Sequence, residues 1–373
     1  MYRPSLKSDW SLILLFAFSV ILFLIARSSY VNIKADFYEQ KLAAAQEMAA
    51  FMDTLKAEIQ NEGISIDPIN DPLQSGLIGP LRSGITTDRG LLSEKQAAIN
   101  PNLAAAFVQE FSRQGLKPGD HIAIGLTGSN PAVNLALYAA VKVMQLQPAI
   151  ITSVSSAAYG ANQENFTWLD MESTLRKKGL IDFGSAYASL GGKDDLAIGL
   201  TDEGIKNLLE AMSRNQVDPL IGSTLAENIK ARETAYAQLL PEGKRYKLFV
   251  NIGRGLANVG SEPNANQIPD GMVPKLAEQE FVPEGIMMLM ARENVPVFSL
   301  QHIQRFTRKN KLPSIPVVLQ KPGEGPAFSV KKNNVTVAAI CLGLLLAAII
   351  AVIIIDRHDR HFMANIVDPD EEL

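Results

Sequence analysis

Two strongly apolar stretches of this chain carry no charge: residues 10–26 (WSLILLFAFSVILFLIA) and residues 335–355 (VTVAAICLGLLLAAIIAVIII). At about 1.5 Å of rise per residue the shorter stretch spans roughly 25 Å as a helix, the lower end of what a bilayer crossing needs. A soluble helix as long and as uniformly apolar as residues 335–355 is rare. A cleaved signal peptide competes for the first stretch, but its apolar run is long for one and no clear small-x-small cleavage site precedes Ser28. An uncleaved anchor with Trp10 at the interface is the favoured reading.

Two spans place both termini on one side of a membrane and one large domain on the other. The expected division is a short cytoplasmic N-terminus (1–9), a transmembrane helix (10–26), a helical stalk (27–66), an α/β domain (67–330), a second transmembrane helix (335–355) and a cytoplasmic tail (356–373). Flanking charges leave the side open. Arg3, Lys7, Arg357 and Arg360 flank one way, and Arg27, Lys34, Lys321, Lys331 and Lys332 the other.

Composition narrows the function classes. A net charge of −4 without a central basic block argues against nucleic-acid binding. The single cysteine, Cys341, lies in the second apolar stretch and can form no internal disulfide.

Between the spans, residues 34–62 place Phe37, Leu42, Ala45, Met48, Met52, Leu55 and Ile59 at helical spacing. Such a helix serves as a stalk or packs on its own domain. Residues 67–90 are rich in Pro, Gly, Asp and Thr, a long irregular connection of the kind that is often functional. Its polar side chains include Arg82, Ser83, Thr86 and Thr87.

The most legible piece is HIAIGLTGSNPAVNLALYAAVKVM, residues 121–144. A buried strand over 121–126 meets a tight turn, Thr127-Gly128-Ser129. Asn130 suits an N-cap and Pro131 the first helical position. The helix runs to about Gln145, and residues 149–154 form the next strand. Gly128 permits close approach of a ligand, while Ser129 and Asn130 offer hydrogen bonds; capping alone explains the same residue types equally well. Further on, helices are expected at 167–178, from Thr201 to about 215, at 223–240 and at 281–293. Strands are expected within 183–192 and at 246–252 and 295–300.

This alternation predicts an α/β fold, a largely parallel Rossmann-like sheet carried by N-terminal and C-terminal transmembrane helices. Ligands of open α/β sheets bind beyond the carboxyl ends of strands, where strand order reverses. The groups expected there are Thr127, Gly128, Ser129, Asn130, Ser155, Arg254 and His302.

Known motifs are mostly absent. There is no G-x-x-x-x-G-K-[ST] and no G-x-S-x-G. Gly253-Arg254-Gly255 lacks the third Rossmann glycine, Asn258 standing in its place. Four histidines and one cysteine give no metal motif, so neither a metal nor a cofactor is expected. Asp170 and Glu172, two apart, do not share a helix face.

Several separated blocks resemble one family: SGLIGPLRSGITT (75–87), IAIGLTGSNPAVNLALYAA (122–140), NFTWLDMESTL (165–175), VPVFSLQHI (295–303) and PGEG (322–325). They are similar, in this order, to the bacterial poly-gamma-glutamate system protein, over most of residues 70–325. The resemblance implies a cell-membrane accessory component of poly-gamma-glutamate capsule or slime synthesis or export. Its partners would be other subunits of that machinery, and surface export would place the large domain outside the cytoplasm. The α/β domain would bind the polymer, a glutamate-like anionic ligand or a partner subunit. An enzyme reading stands beside it: a hydrolase or transferase acting on gamma-glutamyl amides, with Ser129 or Ser155 as nucleophile and His302 as base. A structural scaffold is the third. The family brings no catalytic residues to carry over.

Overall fold

The structure, a computed structural model, describes residues 9–364 except 278, 314, 316 and 317. The chain divides into two compact units, residues 1–34 with 329–373, and residues 35–328.

In the first unit, helices Asp9–Ser28 and Val335–Ala364 lie against each other. Both are long and apolar enough to cross a membrane. Strand Tyr30–Lys34 pairs antiparallel with Ser329–Asn333, from Tyr30 opposite Asn333 to Lys34 opposite Ser329. The expected stalk over 27–66 is thereby divided, because residues 30–34 are strand. The second apolar helix also continues beyond 355 to Ala364. The outer parts of the expected cytoplasmic segments, 1–8 and 365–373, lie outside the described residues.

The second unit is a mixed α/β domain built on one seven-stranded sheet. Its strands are β1 (His121–Thr127), β2 (Gln147–Ser153), β3 (Ser185–Ser189), β4 (Asp218–Pro219), β5 (Leu248–Ile252), β6 (Gly271–Val273) and β7 (Val297–Leu300). They lie in the order β6-β7-β5-β1-β2-β3-β4. All neighbours pair parallel except β6, which is antiparallel to β7. Strands are added outward from β1 on one side and then, from β5, on the other. Strand order therefore reverses between β1 and β5.

Alternation along each strand feeds two cores, because successive side chains face opposite sides of a sheet. Ile122, Ile124 and Leu126 of β1, with Val250 and Phe298, face one core; Ala123, Ile151 and Phe249 face the other. The first core is covered by α1 (Tyr38–Asn61), α2 (Leu103–Arg113), α3 (Pro131–Val143), α4 (Trp168–Lys177) and α5 (Asp202–Arg214). The second is covered by α6 (Leu225–Leu239) and helix Ile286–Arg292. Right-handed crossovers demand this change of face when the direction of strand addition reverses.

Helix α1 belongs to this domain. Met48, Phe51 and Leu55 are fully buried in the first core, and α1 packs on α2 and α3. The apolar stripe read from sequence is thus a core face and not a free stalk. Phe107 of α2 stacks with Phe111, Phe298 and Phe306 at centroid distances of 5.9, 5.4 and 5.5 Å. Truncating such a buried ring costs about 3–5 kcal/mol. The helix expected at 281–293 is shorter, Ile286–Arg292. Pro283 disfavours helical backbone at the residue before it, so the helix begins only at Ile286.

Candidate functional site

The carboxyl ends of β1, β2, β3 and β5 converge where strand order reverses. There they enclose a cleft of about 410 Å³. Thr127 ends β1, Ser153 ends β2, and Ser155 follows two residues later; Arg254 stands in the turn after β5. The long connection after α1 supplies the near wall. Its strand Thr86–Asp88 pairs parallel with Ser156–Ala157, which brings Thr87 and Asp88 into the lining. The opposite wall is the loop after β3, through Gly192, Lys193 and Asp194.

That loop is unusual in its backbone. Gly191, Gly192, Asp194, Asp195, Ala197 and Gly199 all have positive φ. Each non-glycine residue held there costs about 1–3 kcal/mol, so the surroundings must overdetermine the conformation. Gly191 is required by close approach, since a Cβ would lie 2.5 Å from Ser155 Oγ. The main restraint is Asp195. It is 1% exposed and pairs at 3.3 Å with Arg232 of α6, also 1% exposed.

The Arg232–Asp195 pair sits in a hydroxyl and amide cage. Arg232 donates to Ser153 Oγ at 2.8 Å and Ser189 Oγ at 2.6 Å, and both serines donate to Asp195 Oδ1, at 3.1 and 2.8 Å. A second guanidinium nitrogen donates to Asn258 Oδ1 at 3.1 Å, and Asn258 donates to Asn251 Oδ1 at 3.0 Å. These bonds leave Arg232 Nε without a partner but offset much of the desolvation cost of a buried ion pair, several kcal/mol per ion. The departure from the glycine pattern at Asn258 thus has a use: its amide closes this network and packs on Gly125. Through Ser153 the network reaches the cleft floor.

The expected ligand residues divide into two groups. Thr127, Ser129, Ser155 and Arg254 line the cleft. Thr127 is 6% exposed and its Oγ1 has no hydrogen-bond partner. Ser129 Oγ accepts from Ala157 N at 3.0 Å, and Ser155 Oγ accepts from Thr87 Oγ1 at 3.2 Å. Arg254 is held at 2.7 Å by both Glu262 and Asn266.

Gly128, Asn130 and His302 are not among the lining residues. Gly128 yields its side-chain space to the Val154 carbonyl, 2.7 Å from where a Cβ would sit. Asn130 makes no side-chain cap on α3; its Oδ1 accepts from Lys95 Nζ at 2.8 Å. Lys95 also donates to the Ser129 carbonyl, and burial pushes its pKa down to about 8. His302 bonds Asp270 through Nδ1 at 2.8 Å, while the backbone N–H groups of Gln301 and His302 donate to the same carboxylate. Among the described residues no hydrogen bond joins His302 to Ser129 or Ser155.

The two acidic residues of α4 part company. Asp170 completes a capping box with Thr167 and pairs with Arg214, while Glu172 is buried against Tyr138. Among the described residues no group of three or more His, Cys, Asp or Glu side chains could hold a metal ion. Sequence reading missed Arg232, Asp195, Lys193 and Asp194. Arg232 left a signal, an arginine on the apolar stripe of α6 between Ile229 and Tyr236. The other three lie in a loop without periodicity. Comparison with known proteins finds no matching family model, no similar curated protein and no similar solved structure.

Proposed function

We propose that this chain is a membrane-anchored accessory component of poly-gamma-glutamate synthesis or export, and that its Rossmann-like domain binds a gamma-glutamyl or glutamate-like ligand in the cleft. The observation that carries the binding role is the placement of Thr127, Ser129, Ser153, Ser155, Lys193 and Arg254 around one cavity at the reversal of strand order. Open α/β sheets bind ligands at that position. Its hydroxyls supply both donors and acceptors, and its cations can meet carboxylates. The sequence blocks described above supply the polymer's identity, and the two apolar helices support the membrane anchor. The large domain is assigned to the outer side, where the polymer is delivered.

The test is calorimetric titration of the full chain in detergent micelles with gamma-linked glutamate oligomers. Lys193→Ala is expected to weaken binding about tenfold, the loss of one charge-assisted contact, with little change in melting temperature. Absence of binding by the folded wild-type protein would overturn the reading. On intact protoplasts, added protease is expected to digest the 35–328 domain; full protection until lysis would reverse the assigned side.

A further inference from the structure

The mouth of the cleft carries both signs of charge. Lys193 and Arg254 are its cations; Asp88, Asp194 and Glu262 are its carboxylates. Arg254 and Glu262 satisfy each other at 2.7 Å. Asp88 Oδ1 accepts from the backbone N–H of Arg89 at 2.6 Å. Lys193 and Asp194 remain, adjacent in sequence, and neither side chain makes a hydrogen bond or ion pair among the described residues. A ligand that is only anionic meets one free cation and is repelled by Asp194 and Asp88 beside it. A group bearing an ammonium and a carboxylate on one carbon meets a partner for each.

The floor below is prepared for a polar group. Thr127 is more than nine-tenths buried, and its Oγ1 is unpartnered. A buried hydroxyl without a partner costs free energy that a ligand atom would recover. Beside the cleft, sharing Thr87 and Asp88 with it, runs a larger groove of about 670 Å³. Arg82 and Arg89 line it with the exposed apolar side chains of Leu81, Leu91 and Ile198. Neither arginine makes an ion pair or side-chain hydrogen bond among the described residues.

We propose that the cleft recognises an α-amino-acid zwitterion and that the groove receives what is attached to it. This rests on the gamma-glutamyl reading of the cleft and specifies which part of the polymer enters. In a gamma-linked chain only the amino-terminal residue carries both an ammonium and a carboxylate; interior residues carry the carboxylate alone. Asp194, assisted by Asp88, takes the ammonium. Lys193 takes the α-carboxylate, with the Thr127 hydroxyl bonding the same residue. Arg82 and Arg89 meet carboxylates of the residues that follow, while apolar side chains in the groove cover methylene groups. The domain therefore engages chain ends, and polymer length does not multiply its sites.

The probes are a gamma-linked glutamate hexamer with a free amino terminus, the same hexamer N-acetylated, and free L-glutamate, each titrated into the full chain in detergent micelles. The free-amine hexamer is expected to bind at least about tenfold more tightly than the acetylated one, the effect of one charge-assisted contact. L-glutamate is expected to fall between non-binding and the hexamer. Asp194→Asn keeps the residue's positive φ, which asparagine tolerates. It should weaken the free-amine hexamer about tenfold and not weaken the acetylated hexamer, from which it removes a like-charge repulsion. Arg82→Ala should weaken the hexamer and leave L-glutamate unchanged. Equal binding of the free and acetylated hexamers, or indifference to Asp194→Asn, overturns the zwitterion assignment while the gamma-glutamyl reading stands. Equal affinity for L-glutamate and the hexamer overturns the groove assignment. Failure of all three probes overturns the reading beneath both.

Discussion

The domain buries two charged networks, and they differ in what they touch. Arg232 and Asp195 hold opposite charges within a cage that includes Ser153, whose residue lines the cleft. Glu172 stands on the other face of the sheet with no cation among its hydrogen-bond partners. Tyr138 donates its hydroxyl to it, and Ser185 donates both its backbone N–H and, at 3.0 Å, its hydroxyl. Burial raises the carboxyl's pKa and these donors lower it, with burial the larger effect. None of these three residues lines the cleft. A buried charge is therefore not in itself the mark of a site. One network fixes the backbone of a loop that forms a wall of the cleft; the other joins α3, α4 and β3 inside the core.

The sharpest way to break the contrast is Arg232→Met. It leaves Asp195 buried without its cation and should cost about 3–5 kcal/mol, read as a fall in denaturant midpoint. Arg232→Met with Asp195→Leu should recover most of that stability and none of the ligand affinity, because the 191–199 loop loses its restraint. Recovery of affinity in the double variant would show that the ion pair does not shape the cleft.

Lys95 is another buried ionisable side chain, beside the turn after β1. Its pKa falls from 10.5 to about 8 on folding through burial. Between those values the unfolded chain holds a proton that the folded chain has released, so stability rises with pH. Below about pH 8 the cost of burying the ammonium is present in full. The rise should approach about 3 kcal/mol by the upper end of the window, and Lys95→Met should abolish it. Equal pH slopes in denaturant melts of the two proteins would refute the account.

Glu172→Gln is expected to cost about 1–2 kcal/mol near neutral pH, because an amide cannot accept from all three donors. The raised pKa means that the folded state holds its proton longer, so wild-type stability falls as pH rises from the ordinary glutamate value of 4.5 to the folded value. The Gln variant should lack that decline. Ligand affinity should not change, and an altered affinity would erase the distinction between the networks. Ser153→Ala is the mildest change, about 1 kcal/mol in stability. It should nevertheless weaken binding, since Ser153 belongs to both the network and the cleft floor.

What could be read from the sequence follows the range of the forces involved. The unit β1–α3–β2 was legible because apolar periodicity, Asn130-Pro131 and Gly128 are local signals, and β2 needed a shift of only two residues at its start. The helix start at Thr201 is equally local, and its hydroxyl accepts from the Gly204 N–H at the head of α5. Strand Tyr30–Lys34 was not legible, because it pairs with Ser329–Asn333, distant in sequence, and its side chains are mostly exposed. Thr127, Ser155 and Arg254 were reachable because each follows a strand. Lys193 and Asp194 were not, because their placement depends on Arg232, a side chain with no sequence pattern linking it to them. His302 follows a strand as well, yet its ring is spent on Asp270, the carboxylate that also accepts from two backbone N–H groups.

The α/β unit begins and ends at one point: the Ala35 amide donates to the Phe328 carbonyl at 2.9 Å. A unit whose first and last residues are neighbours is a closed loop of chain, and its core makes no use of where that loop is cut. A short glycine-serine tether could join Phe328 to Ala35, with new ends opened at an exposed turn such as Gly243. Circular permutation of that kind would separate the domain from both apolar helices while keeping every contact of its core.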